Sequence, residues 1–107
     1  MDPGLYGRLS ADAVALTRAT RAHTDIRQGS SVRGAIDLTL VAGELLALRG
    51  IGDSGDSRYG GTVFDAMVVA LSGRIHLDET AETTPEAVLR QIWENHFILN
   101  PAAAAPG

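Results

Sequence analysis

Apolar residues recur at helical spacing in four stretches of the chain, and glycine, proline and short polar residues separate them. From Ser10 to His23, Val14 and Leu16 stand among alanines, threonines and arginines without a proline or an internal glycine. Ser10 offers an N-cap, so a helix is expected there. The clearest pattern runs from Gly29 to Gly50. Leu38, Val41, Leu45 and Leu48 recur on one face, Ser30 or Ser31 can cap, and Gly50 stands where a C′ glycine belongs. A second row, Ile36, Leu40, Gly43 and Ala47, makes this central helix apolar on most of its circumference, which calls for packing from more than one side.

Between Gly50 and Gly61 five glycines alternate with aspartates and serines, nothing is expected to bury a face, and a mobile loop is predicted. Val63, Phe64, Met67, Val68, Ala70 and Leu71 predict a third helix over 62–72, stopping at Gly73. Met67 to Leu71 alone fits a buried strand, and the length of the pattern favours helix. In the last segment Thr84 caps, Pro85 takes the first helical position, and Thr83 with Glu86 offers an alternative capping box. Val88, Leu89, Ile92, Trp93 and Phe97 form its inner face, expected to rest on the central helix. The predicted class is all-α, a small bundle of three to five helices over residues 10–98. Residues 1–9 are expected to be a linker or artificial start and 99–107 a disordered tail.

Composition narrows the chemistry. At 107 residues with 45% apolar content, one core is feasible, because a chain of this size buries roughly 60 to 68% of its unfolded surface. With no cysteine, disulfides, thiolate metal sites and cysteine nucleophiles are excluded. All nine basic residues are arginine, which removes the G-x-x-x-x-G-K-[ST] phosphate loop and lysine Schiff-base chemistry, so the chain alone is not expected to be catalytic. A net charge of −4 without a basic stripe argues against nucleic acid. No cationic leader and no long apolar run is present, so a cytoplasmic location without a membrane partner is expected.

Two strings in the glycine loop mimic known chemistry. Gly50-Ile51-Gly52-Asp53-Ser54-Gly55 fits a dinucleotide fingerprint, but a helix precedes it in place of a strand, and Asp53 and Asp56 would oppose a phosphate. Gly52-Asp53-Ser54-Gly55 resembles the serine neighbourhood of chymotrypsin-like proteases, whose two-barrel fold 107 mostly helical residues cannot build. Phe64 stands where a calcium hand needs its glutamate, and His23, His76 and His96 lack the i, i+4 spacing of a helical zinc site, so no metal is expected. His23 with Asp25 and His76 with Asp78 are within reach of local hydrogen bonds and are assigned no chemistry.

Arg27-Gln28-Gly29-Ser30-Ser31-Val32-Arg33-Gly34-Ala35 runs from a turn into the central helix. Arg33, Asp37 and Glu44 lie within about 40° of one another around that helix. One outcome is a solvated stripe with an Arg33–Asp37 pair worth about 0.5 kcal/mol or less. The other is an arginine facing an anion beside the free N–H groups of a Gly29-Ser30-Ser31 turn.

Thr17-Arg18-Ala19-Thr20-Arg21, then Gly29-Ser30-Ser31-Val32-Arg33-Gly34-Ala35, then Leu38 through Arg49 and Gly50, resembles the C-terminal helical lid of MoxR-type AAA+ ATPases, relatives of magnesium-chelatase ATPase subunits. The resemblance covers about residues 11–98. It implies that Arg33 is the sensor 2 arginine, reaching toward the γ-phosphate of ATP held with magnesium by a core domain outside this chain, with Gly29, Ser30 and Ser31 as its supporting turn. It also implies contacts with the core, with neighbouring ring subunits and with a von Willebrand A-type companion, in chaperone-like remodelling of partner proteins. Family lids commonly end in a Val-x-Pro-Asp-Asp-Val segment; here Thr83-Thr84-Pro85-Glu86-Ala87-Val88 follows a longer insertion. A different class, a free-standing helical protein interaction domain, would make Arg33 a surface charge only. A dinucleotide-binding enzyme fragment is a third, weaker expectation.

Overall fold

A computed structural model of the protein describes residues 3–23, 25–28 and 32–99. The first helix, α1, spans Pro3–Ala22, so it starts upstream of the Ser10 cap expected from the sequence. Leu5, Leu9, Ala13 and Leu16 are buried along one side of it, which makes residues 3–9 the first turns of α1, with Leu5 and Leu9 in the core, and corrects their assignment to a linker. Pro3 opens the helix, where its missing N–H costs nothing, and the helix runs on through Gly7 because Leu5 and Leu9 continue the buried stripe.

The central helix, α2, spans Val32–Leu48 and packs against α1 on one side and α3 (Tyr59–Leu71) on the other. Leu38, Ala42 and Leu46 are fully buried between them. Packing stops there: Val32, Ile36, Leu40 and Leu48 remain exposed, so α2 is covered on two sides and its outer apolar stripe faces solvent. The C-terminus of α2 is closed by a Schellman motif. Gly50 adopts φ 69°, its N–H donates to Ala47 O at 3.2 Å, and the Ile51 N–H donates to Leu46 O at 2.9 Å. Only a residue without Cβ takes that backbone conformation at no steric cost.

The segment after Gly50 is anchored at both ends, contrary to the expectation that it buries nothing. Ile51 and Tyr59 are each 3% exposed and belong to the core cluster, and α3 starts at Tyr59, taking in Gly60 and Gly61. The last helix, α4, spans Pro85–Glu94; Thr84 Oγ1 accepts from the Ala87 N–H at 3.2 Å with Pro85 in the first turn, so Thr84 is the cap. The chain continues as a π-helical turn over Asn95–Leu99. α4 packs on α1 and α3. Trp93 is therefore set against α3, donating its indole N–H to Gly60 O at 2.8 Å and lying 5.7 Å from the Phe64 ring, which corrects the expectation that it rests on the central helix.

Two short strands complete the helical bundle. β1 (Ile26–Gln28) pairs antiparallel with β2 (His76–Leu77), in the register Ile26 with Leu77 and Gln28 with His76, with an irregularity between. The ribbon ties the α1–α2 connection to the α3–α4 connection, and Ile26 and Ile75 extend the core beneath it. No alternation in so short a segment marked these residues as strands; the pairing is a product of the helices that bring the two connections together. No helix among the described residues is long and apolar enough to cross a membrane.

Candidate functional site

Arg33 is exposed in the first turn of α2. Gly29, Ser30 and Ser31, the turn expected to support it, lie outside the described residues. The Arg33–Asp37 pair anticipated from helical spacing does not form. Asp37 accepts instead from the Arg74 guanidinium, which arrives from the turn after α3. Among the described residues Arg33 makes no ion pair or side-chain hydrogen bond, and neither does Glu44. The helix thus begins with a solvent-facing guanidinium beside backbone N–H groups that have no intrahelical acceptor, an arrangement that favours an anion.

A second constellation, which the sequence patterns did not single out, lies inside the bundle. Asp12 on α1 is 2% exposed, and its carboxylate takes three donors. Arg8 Nε reaches Oδ2 at 2.9 Å from one turn earlier, the Tyr59 hydroxyl donates to Oδ2 at 2.6 Å, and His96 Nε2 lies 2.9 Å from Oδ1. Burial of the phenol, then the hydrogen bond to the Asp12 carboxylate, push the Tyr59 pKa well above its ordinary value. The available signal was an aspartate set within the Leu5, Leu9, Leu16 stripe: a carboxylate on a buried face needs donors. Their identities could not be read, because Tyr59 is 47 and His96 84 positions away.

The cluster is sealed rather than open to substrate. Phe97 lies edge-on to Tyr59 at 6.2 Å and to His96 at 4.8 Å, while Arg8 sits 5.9 Å from the centre of the Tyr59 ring. It binds α1, α3 and the π-helical turn to one another. His23 makes a comparable link: its Nδ1 accepts from the Asp25 N–H at 3.0 Å, leaving Nε2 to donate to Gln91 Oε1 at 2.6 Å on α4. The local His23–Asp25 bond therefore involves the backbone of Asp25 and not its carboxylate.

The glycine loop is organised by its own side chains. Asp53 Oδ1 accepts from the Gly55 N–H at 3.0 Å; Asp56 accepts from Arg58 through backbone N–H, Nε and Nη2 at 2.8, 3.1 and 2.9 Å. The Arg58 side-chain and backbone hydrogen bonds hold the Asp56 carboxyl at about 2. With α2 ahead of it and its aspartates turned onto its own N–H groups, this loop lacks the strand-to-helix context of a dinucleotide site. Beside it, an open groove of about 480 Å³ is bordered by Arg49, Arg58, Arg90, Asp65, Phe64 and Trp93. Arg49 is engaged by Asp65 at 2.8 Å and by Thr62, while Arg90 lies over the Phe64 ring at 4.6 Å. Among the described residues no group of three or more histidine, aspartate or glutamate side chains is placed to hold a metal.

Comparison with family models, with curated proteins and with solved structures finds no match to this chain.

Proposed function

We propose that this chain is the C-terminal helical lid of a MoxR-type AAA+ ATPase, and that Arg33 is its nucleotide-sensing residue. The observation that carries the proposal is the pairing of Asp37 with Arg74, which leaves Arg33 without an ion-pair partner among the described residues at the opening of α2. With Asp37 held by Arg74, the guanidinium is left available to an external anion at the opening of the helix. In this role the bundle closes over ATP and magnesium held by the core, and Arg33 supplies charge-assisted hydrogen bonds to the terminal phosphate. Neighbouring ring subunits, a von Willebrand A-type companion and a cytoplasmic setting belong to the same proposal.

The test is steady-state ATP turnover in the ATPase that contains this lid. Arg33→Ala is expected to lower turnover by about tenfold or more, short of the 10³ typical of a trans arginine finger, since magnesium and the core lysine share the charge. Arg33→Lys should rescue poorly, because an ammonium lacks the planar fork. Thermal stability of this chain should be nearly unchanged in both variants. Wild-type turnover in Arg33→Ala would falsify the assignment.

A second reading, a free-standing helical interaction domain, is favoured by one observation: Val32, Ile36 and Leu40 form an exposed apolar row on α2. It forecasts no P-loop motif encoded upstream in the same reading frame, and a partner that binds through this row.

A further inference from the structure

We propose that Arg74 is a positioning residue for Arg33: by holding Asp37, it keeps that carboxylate from capturing the Arg33 guanidinium. The inference rests on the assignment of Arg33 as the phosphate-facing cation and names what regulates its availability. Arg33 and Asp37 stand four residues apart in α2, the spacing at which opposite charges on a helix meet. Asp37 has two candidate partners, and the structure pairs it with the one distant in sequence.

The physical reason lies in how Arg74 is delivered. Its backbone N–H donates to Leu71 O at 2.9 Å, and the flanking Leu71 and Ile75 are 0% and 5% exposed, so its base is fixed from both sides. Ordering this arginine against Asp37 therefore costs less entropy than ordering Arg33, whose neighbour Val32 is 75% exposed at the start of the helix. The Arg74–Asp37 pair is also partly shielded, at 40% and 31% side-chain exposure, which strengthens it relative to a pair in open solvent. Two effects follow. Arg33 keeps its donors for an external anion, and the negative charge of Asp37 is neutralised close to where that anion arrives.

Were Arg74 only a staple between α2 and the turn after α3, its removal would lower stability and nothing else. As a positioning residue it has an effect that depends on Asp37. In the lid-containing ATPase, Arg74→Met is expected to reduce kcat/KM for ATP by about two- to fivefold, the size of a helical ion pair plus one uncompensated nearby charge. Adding Asp37→Asn should restore the value, and Arg74→Lys, which keeps the charge, should stay close to wild type. In this chain itself, the Arg33 Nε–Hε resonance in Arg74→Met should differ from wild type and return in Arg74→Met/Asp37→Asn, which reports capture directly and without nucleotide. An unmoved Arg33 resonance in Arg74→Met, or a loss of turnover that Asp37→Asn does not repair, overturns the positioning role. Because Arg33→Ala is measured alongside, the two assignments separate: reduced turnover there with normal turnover in Arg74→Met defeats the positioning role alone, whereas normal turnover in Arg33→Ala defeats the sensor assignment itself.

Discussion

The Tyr59 hydroxyl donates to Asp12 Oδ2 at 2.6 Å, joining the start of α3 to the middle of α1 across 47 residues of chain. Both residues are almost completely buried, and Arg8 and His96 complete the donor set around the carboxylate. A buried carboxylate with satisfied lone pairs holds three elements in one arrangement; the same carboxylate short of a donor works against folding.

Tyr59→Phe removes one donor and leaves the ring in place. The expected cost is about 1.5–3 kcal/mol, the range for hydrogen bonds to a charged group, read as a lower urea midpoint with an unchanged slope. A loss below about 0.5 kcal/mol would show that solvent replaces the phenol at Asp12.

Alkaline pH should weaken the fold through the same residue. The folded Tyr59 pKa is raised, so its protonated form contributes stability that is fully present below the unfolded value of about 10 and is lost as pH rises above it. The slope can approach about 1.4 kcal/mol per pH unit, the limit for one proton. The chain has no lysine, so none titrates in this window. Unfolding free energy measured between pH 9 and 11 should fall in wild type and stay flatter in Tyr59→Phe; equal slopes would remove Tyr59 from the explanation.

Two glycine substitutions should have opposite signs. A Cβ at Gly7 would meet no heavy atom within 4 Å, and the position is helical, so Gly7→Ala is expected to stabilise by about 0.5–1 kcal/mol. Gly50 also has open space around it, yet its φ of 69° makes Gly50→Ala strained by about 1–2 kcal/mol. Melting temperatures that moved in the same direction would show that one of these backbone conformations is misassigned.

Trp93 reports on the α3–α4 contact. Trp93→Phe keeps an aromatic ring near Phe64 and Phe97 and deletes the bond to Gly60 O, for an expected cost of about 1 kcal/mol. Trp93→Ala should cost about 2 kcal/mol or more, short of a fully buried tryptophan because the ring is only half-buried. Chemical denaturation followed by far-ultraviolet circular dichroism distinguishes the two, and equal small losses would make α4 peripheral.

Legibility in the sequence followed the range of the interaction. The Thr84-Pro85 start of α4 and the Gly50 stop of α2 were readable because a cap or a left-handed residue acts on backbone groups within a few positions. The buried stripe of α3 and the inner positions Val88, Leu89 and Ile92 were likewise readable, since helical periodicity encodes a face. In α2, by contrast, only Leu38 of the expected rows is buried, beside Ala42 and Leu46, and Leu48 is exposed, because apolar residues around most of the helix left its inner face undetermined. Ser10 misled as a cap because a capping residue also sits comfortably inside a helix whose apolar stripe continues upstream through Leu9 and Leu5.

What the amino-acid sequence determined by itself is the helical class, the Gly50 stop of α2, the Thr84-Pro85 start of α4, and the lack of lysine and cysteine chemistry. Only the tertiary structure decided which faces meet: that Trp93 turns to α3, that residues 26–28 pair with 76–77, and that Asp12 is enclosed by Tyr59 and His96. It also decided that Asp37 belongs to Arg74 and not to Arg33. Local order depends on dihedral preference and spacing along one stretch of chain. Partner choice for a charge depends on which distant side chains packing delivers with their entropy already reduced, and that is a property of the assembled bundle.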